Sequence, residues 1–256
     1  MKYHFYVFGC GGTGSLFLGR FGQFLASASD SFSWELTLID GDVVERKNLS
    51  RQFFTLTDLG QNKALASCAI LEEVFGIQAH AYPHFVTDAS WFSRVTCSEE
   101  CIPVFFGCVD NHHCRKLLEE AFASLSHCFY FDSANEFSDG EIVTGIRLNG
   151  KTIAPVREFY FPNYATHAKA VTSMSCQELN AVAPQHIAVN NLAAALLLAK
   201  ATRLCEEQRI DGGITHFNAS LCQVSHTLFS PELVKAKQQL IFATELLEDS
   251  LLREGA

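Results

Sequence analysis

The chain has 256 residues, 48% of them hydrophobic and 18% charged, with a formal charge of −9. This composition excludes a disordered or fibrous chain, and the acidic balance argues against a general nucleic-acid binder. The longest continuous apolar stretch, residues 192–199, is too short to cross a bilayer, so no membrane role is expected.

Residues 2–8 read as an apolar strand starting almost at Met1, which leaves no room for a signal peptide and points to the cytoplasm. In that compartment the ten cysteines read as reduced thiols. Cys97 and Cys101 come nearest to a zinc motif but lack a second pair, so no zinc is expected.

The first strand runs into Gly9-Cys10-Gly11-Gly12-Thr13-Gly14-Ser15. Leu16, Phe17, Gly19, Arg20, Phe24 and Leu25 then suit a helix with one apolar face. Residues 34–39 form a second strand, closing on Asp40-Gly41-Asp42. A helix is expected within 58–75, a third strand at 77–82 and a fourth at 103–109, ending in Asp110. Residues 112–124 read as a helix and 128–132 as a fifth strand. Strands alternating with helices, apolar throughout, predict a Rossmann-like α/β fold: a mostly parallel sheet with helices on both faces.

The pattern changes after Asp132. Residues 141–148 with Asn149-Gly150 predict a hairpin arm, and with it an antiparallel extension of the sheet. A long loop is expected over 157–176, a helix over 185–209, a strand near 215–220 and a last helix from 231 to about 253.

Gly9, Gly11 and Gly14 make a G-x-G-x-x-G pattern between the first strand and the first helix, with Gly12 in the same turn. Glycine lets the backbone turn tightly and approach a phosphate, and the helix N-terminus behind it offers N–H groups to an anion. A tight structural turn has the same composition. The loop alone fits NAD as well as ATP, because Asp40 at the end of the second strand can bond a ribose hydroxyl of either. Beyond it, Asp42, Asn48, Arg51, Gln52 and Lys63 form a polar and basic series that a dehydrogenase does not require. Arg51 suits bidentate phosphate contacts and Lys63 is a compact point charge. Asp110 falls at the carboxyl edge of the sheet, where a carboxylate beside phosphates is a natural Mg²⁺ ligand. Singly, Arg51 and Lys63 read as solvated surface charges; together with the loop they point to a triphosphate.

The motifs G-C-G-G-T-G-S, L-I-D-G-D-V-V-E-R-K-N-L-S-R-Q-F, D-L-G-Q-N-K-A and C-V-D-N follow one another over residues 9–111. In this order they resemble the ThiF/MoeB/HesA family of E1-like activating enzymes. The resemblance implies ATP and Mg²⁺ as cofactors. Asp40 would bind the ribose, Arg51 and Lys63 the β/γ-phosphates and Asp110 the Mg²⁺, with Asn111 beside it and Asn48 and Gln52 organising the phosphate site. It further implies adenylation of the C-terminal glycine of a small ubiquitin-like (β-grasp) or sulfur-carrier protein, with an E2-like or other acceptor downstream. The implied organisation is a single domain over 1–256 that forms a homodimer. Residues 1–135 would bind the nucleotide, and 136–256 the substrate and the second subunit.

Ser175-Cys176-Gln177-Glu178, Pro184-Gln185-His186 and Asn190-Asn191-Leu192-Ala193 resemble, more loosely, the ThiF-type proteins of PRTRC systems. Cys176 is a candidate thioester acceptor, against the plainer reading of a buried apolar cysteine. Cys10 and Cys108 read as structural, and Cys205 and Cys222 as core. The aromatic stretch from Phe159 to Tyr164, continuing to Ser175, is a candidate cover for an extended peptide tail, or simply a surface loop. His112-His113 reads as a first helical turn. Some family members carry an N-terminal helix that gives an arginine to the partner's ATP site; here Arg20 or a different subunit is left to supply that charge, or adenylation is weaker. The competing readings are a non-catalytic E1-like subunit and an NAD-dependent oxidoreductase.

Overall fold

A computed structural model of the protein describes residues 2–28, 31–166 and 186–235. In β1 (Lys2–Phe8), Tyr3, Phe5 and Val7 enter one core cluster, while Tyr6 and Phe8 enter another. A strand apolar on both faces needs cover on both. On the first face lie α1 (Gly12–Ser27), α2 (Lys63–Phe75) and α5 (Ile187–Glu207). Much of the phenylalanine of the sequence is spent here: the Phe17 ring lies 4.7 Å from that of Phe106 and 5.0 Å from that of Phe21. The second face is covered by α3 (His112–Ser124) and a 3₁₀ turn (Ala89–Arg94), with Trp91, Leu118 and Phe122 against Phe8, Phe105 and Tyr130.

The nine-stranded sheet has the order β3-β2-β1-β4-β5-β6-β8-β9, with β7 also paired to β6. β2 (Ser33–Ile39), β3 (His80–Tyr82), β4 (Cys101–Gly107) and β5 (Cys128–Asn135) run parallel to β1. The direction of chain progression reverses between β1 and β4, which opens a crevice above their carboxyl ends. β6 (Asp139–Leu148), β7 (Lys151–Ala154), β8 (Gly213–Asn218) and β9 (Gln223–Leu228) add the antiparallel part. Asn149 and Gly150, with φ of 51° and 71°, make the tight turn between β6 and β7, as that dipeptide predicts.

Several boundaries differ from expectation. The second helix starts after Asn62, not at Asp58, because the Asn62 side chain accepts the N–H groups of Ala64 and Leu65; Asp58 instead closes a 3₁₀ turn. The third strand is shorter because Gly76, at φ 68°, ends α2, and Ile77 still bonds back to Leu71. Residues 157–160 form a short helix, α4 (Arg157–Tyr160), at the start of the expected loop. β9 was not anticipated, and Cys222 is exposed in the turn before it, not in the core.

At 21 residues, α5 is long and apolar enough to cross a bilayer by length and composition, unlike the shorter 192–199 run considered alone. Here it is a core helix: Val189, Ala193, Leu197, Ala201 and Leu204 are buried and the helix packs on α1. Residues 231–235 are helical. The rest of the expected last helix lies outside the described residues, as does Cys176.

Candidate nucleotide site

The loops leaving β1, β2 and β4 are pinned to one another. Gly9 has φ +88° and donates its N–H to Ile39, while Cys108 donates to Phe8, each at 2.8 Å. A Cβ on Gly9 would lie 2.7 Å from the Cys108 carbonyl oxygen, so only glycine permits this approach. Asp40 is buried and accepts the backbone N–H of Cys10 at 2.7 Å and that of Asp42 at 2.8 Å. Burial pushes its carboxyl up to about 6, against the opposing pull of Lys63.

A cavity of about 460 Å³ opens above the carboxyl ends of these strands. All the residues assigned to the nucleotide from sequence line it, except Gly14. A Cβ on Gly14 would stand 1.9 Å from the Gly9 carbonyl oxygen. This third glycine therefore serves close helix–strand packing. Gly11 is different, since a Cβ there would come no nearer than 3.8 Å to Gln52.

The basic groups are held by local structure. Asn48 is buried, and its side chain accepts the N–H of Glu45 at 2.8 Å within a 3₁₀ turn (Arg46–Asn48). Its carbonyl accepts the N–H groups of Arg51 and Gln52. Asn48 thus builds the corner that presents Arg51 and Gln52 to the cavity. The Arg51 guanidinium makes no ion pair among the described residues, and the buried Gln52 Oε1 has no partner. Lys63, almost wholly buried, donates to Asp42 at 2.9 Å. Burial alone would lower its pKa, but Asp40 and Asp42 outweigh it and hold the ammonium above its usual range. Asn62 ties the two acids together by donating to both of their carbonyls, at 2.8 and 3.0 Å. Asn111 caps α3 by accepting the N–H of Cys114 at 2.9 Å, placing Asp110 immediately before the helix.

One network at the cavity was not read from the sequence. Asp132, buried near the end of β5, receives Arg115 at 3.0 Å and Arg157 on its other oxygen. Burial pushes its carboxyl up, yet the two guanidinium groups more than compensate and hold it below the usual carboxylate range. Arg157 also pairs with Glu141. The available signal was an acid near the end of the fifth strand, as Asp40 follows the second. A second chain of contacts runs from Thr13 to Asn135 at 3.1 Å, and from Asn135 to the buried Asn190 of α5 at 2.7 Å.

Of the other sequence candidates, Cys108, His112 and His113 also line the cavity, whereas Cys10 and Arg20 do not. Arg20 is exposed on α1 and does not line the cavity. Burial pushes the Cys10 thiol well above its ordinary value and that of Cys108 up to about 12, which agrees with their structural reading. His112 and His113 form the first turn of α3, as expected.

The ThiF family matches residues 1–237. This chain belongs to the ThiF family. No curated protein matches it. Among solved structures, E. coli MccB with succinimide is similar at a TM-score of 0.62 and 18% identity, covering 89% of this chain and 65% of that one. E. coli MccB with AMPCPP and MccA gives 0.61 and 18%, covering 89% and 64%. PaaA gives 0.61 and 14%, covering 88% and 64%. The ThiF-family chain thus spans just under two thirds of the length of these neighbours, and the likeness is one of fold.

Proposed function

We propose that this ThiF-family protein binds ATP with Mg²⁺ in the cavity and transfers AMP to the carboxyl end of a peptide or small protein. The observation that carries this reading is the meeting of a glycine cradle, Arg51, Lys63 and Asp110 around one cavity at the carboxyl edge of the sheet. In the step proposed, a substrate carboxylate oxygen bonds to the α-phosphorus and the bond to the β-phosphate oxygen breaks, with the electron pair leaving on pyrophosphate. Such a reaction depends on alignment and on neutralising the leaving charge. Lys63 and Arg51 supply that positive charge, and the buried, unpartnered Gln52 Oε1 accepts a donor from the bound nucleotide or its water.

The residues fit the metal only together with the nucleotide. Among the described residues no group of three His, Cys, Asp or Glu side chains gathers to hold an ion. Mg²⁺ typically takes one or two carboxylates together with substrate phosphates. Asp110 is such a carboxylate, and the ion would neutralise phosphate charge beside it.

The acceptor reading draws on the neighbour solved with the peptide MccA and on the family. The finer form is a β-grasp or sulfur-carrier protein ending in glycine, acted on in the cytoplasm, with a thioester on Cys176 as a following step. A homodimer completes the reading. The buried face of α5 is used within the chain, whereas Val43, Phe53, Leu56 and Leu65 are exposed around the Arg51 corner and offer an apolar surface to a second copy.

ATP–pyrophosphate exchange tests the proposal, using a glycine-terminated β-grasp protein and short peptides with free or amidated carboxyl ends. Exchange that requires the free carboxylate is expected. Absence of exchange with every substrate, under conditions where ATP binds, would leave a non-catalytic binding subunit. Cys176→Ala should keep exchange and lose any reducible adduct; an adduct that persists assigns the thioester elsewhere.

A further inference from the structure

We propose that Arg115 is a positioning residue for the metal-binding loop of this site, with Asp132 as the buried anion that holds it. The proposal rests on the ATP–Mg²⁺ reading of the cavity. Arg115 lies in the first turn of α3 and is only 3% exposed. A buried guanidinium is costly unless charge and donors are all satisfied. Its Nε donates to Asp132 Oδ1 at 3.0 Å. Its Nη2 donates to two backbone carbonyls, that of Ser133 in β5 at 2.7 Å and that of Val109.

The Val109 carbonyl belongs to the peptide unit that leads into Asp110. Arg115 therefore fixes the plane of that peptide against β5, and with it the direction in which the Asp110 carboxylate leaves the chain. The fork geometry matters: a guanidinium can reach an acid on one side and two carbonyls on another, whereas an ammonium is a single point.

Arg157 provides an internal comparison. It shares Asp132 but takes the other oxygen, and its remaining contacts go to the Asp132 carbonyl and Glu141, not to the Val109–Asp110 loop. If Arg115 acts merely as a buried counter-charge, the two arginines are equivalent. If it positions the loop, only Arg115 affects the metal.

The test compares wild type, Arg115→Lys and Arg157→Lys. Free Mn²⁺ is measured by electron paramagnetic resonance in the presence of ATP, and ATP binding in EDTA is measured by calorimetry. Loss of an outer-shell partner typically costs about 10–100-fold in metal affinity. Arg115→Lys is expected to weaken Mn²⁺ retention by at least about tenfold on that scale. Its binding of ATP in EDTA should stay within about twofold of wild type, and Arg157→Lys should retain Mn²⁺. Wild-type Mn²⁺ retention in Arg115→Lys, or equal loss in both variants, overturns the proposal. Should Arg115→Lys not fold, Asp132→Asn keeps an acceptor while removing the charge that anchors Arg115, and the same two outcomes apply. Wild-type protein that binds ATP neither in EDTA nor with Mg²⁺ overturns the nucleotide reading itself.

Discussion

Asp40 accepts the backbone N–H of Cys10 at 2.7 Å, so the acid that closes β2 fixes the glycine loop that leaves β1. The contact joins the two most legible features of the sequence into one device. It also makes the loop sensitive to protonation, because burial lifts the Asp40 carboxyl to about 6.

The sign of that sensitivity follows from linkage. Between the unfolded carboxylate range and about 6 the folded state holds the proton and the unfolded chain does not. Asp40 therefore contributes stability at acid pH that is lost as pH rises through this window, on the order of 2–3 kcal/mol at about 1.4 kcal/mol per unit. On the proposed ATP reading, adenosine binding runs the other way, since the ionised carboxylate would accept a ribose hydroxyl. Calorimetric titration should show adenosine bound about tenfold more weakly one unit below the midpoint than well above it. Asp40→Asn should flatten the profile; a wild-type profile already flat contradicts this role.

Gly14 and Gly11 should fail in different ways. Gly14→Ala places a methyl 1.9 Å from the Gly9 carbonyl oxygen, overpacking that costs about 1–3 kcal/mol or more. Its melting temperature should fall by several degrees. Gly11→Ala meets nothing closer than 3.8 Å and should melt close to wild type, while ATP binding weakens by about tenfold or more because the methyl occupies the phosphate approach. A Gly14→Ala protein as stable as wild type would show the packing account to be wrong.

Lys63 neutralises two acids at once. Its removal in Lys63→Ala leaves Asp42 without its 2.9 Å partner and takes from Asp40 the cation that opposes burial. Pyrophosphate exchange should drop by about 100-fold, the scale of losing one preorganised electrostatic group. The midpoint of adenosine binding should move to higher pH. An unchanged midpoint would mean that Lys63 does not act on Asp40.

The parallel half of the fold was legible because its strands are apolar on both faces and end in acids or glycines at the same edge. β9 was not, since all six of its residues are exposed and burial leaves no alternation in them. The boundaries of α2 depended on the Asn62 cap and the Gly76 turn, which a run of apolar spacings does not mark. The residues assigned to the nucleotide lie within short stretches after β1, β2 and β4, so local motifs single them out, and they line one cavity apart from Gly14. Asp132 meets Arg115 and Arg157 only across 17 and 25 residues, and nothing local announces those partners. The packing role of Gly14 was not legible, because a glycine needed for packing and one needed for phosphate look alike until the neighbouring atoms are placed.

The central claim is that this cavity is a triphosphate site with Arg51 as one of its cations. Calorimetric titration of ATP–Mg²⁺ and of NAD⁺ into wild type and Arg51→Ala tests it most directly. ATP–Mg²⁺ should bind wild type at one per chain and Arg51→Ala at least about tenfold more weakly, the scale of a lost charge-assisted contact, and NAD⁺ should bind neither. NAD⁺ binding without ATP binding, or equal ATP affinity in the two proteins, would contradict it.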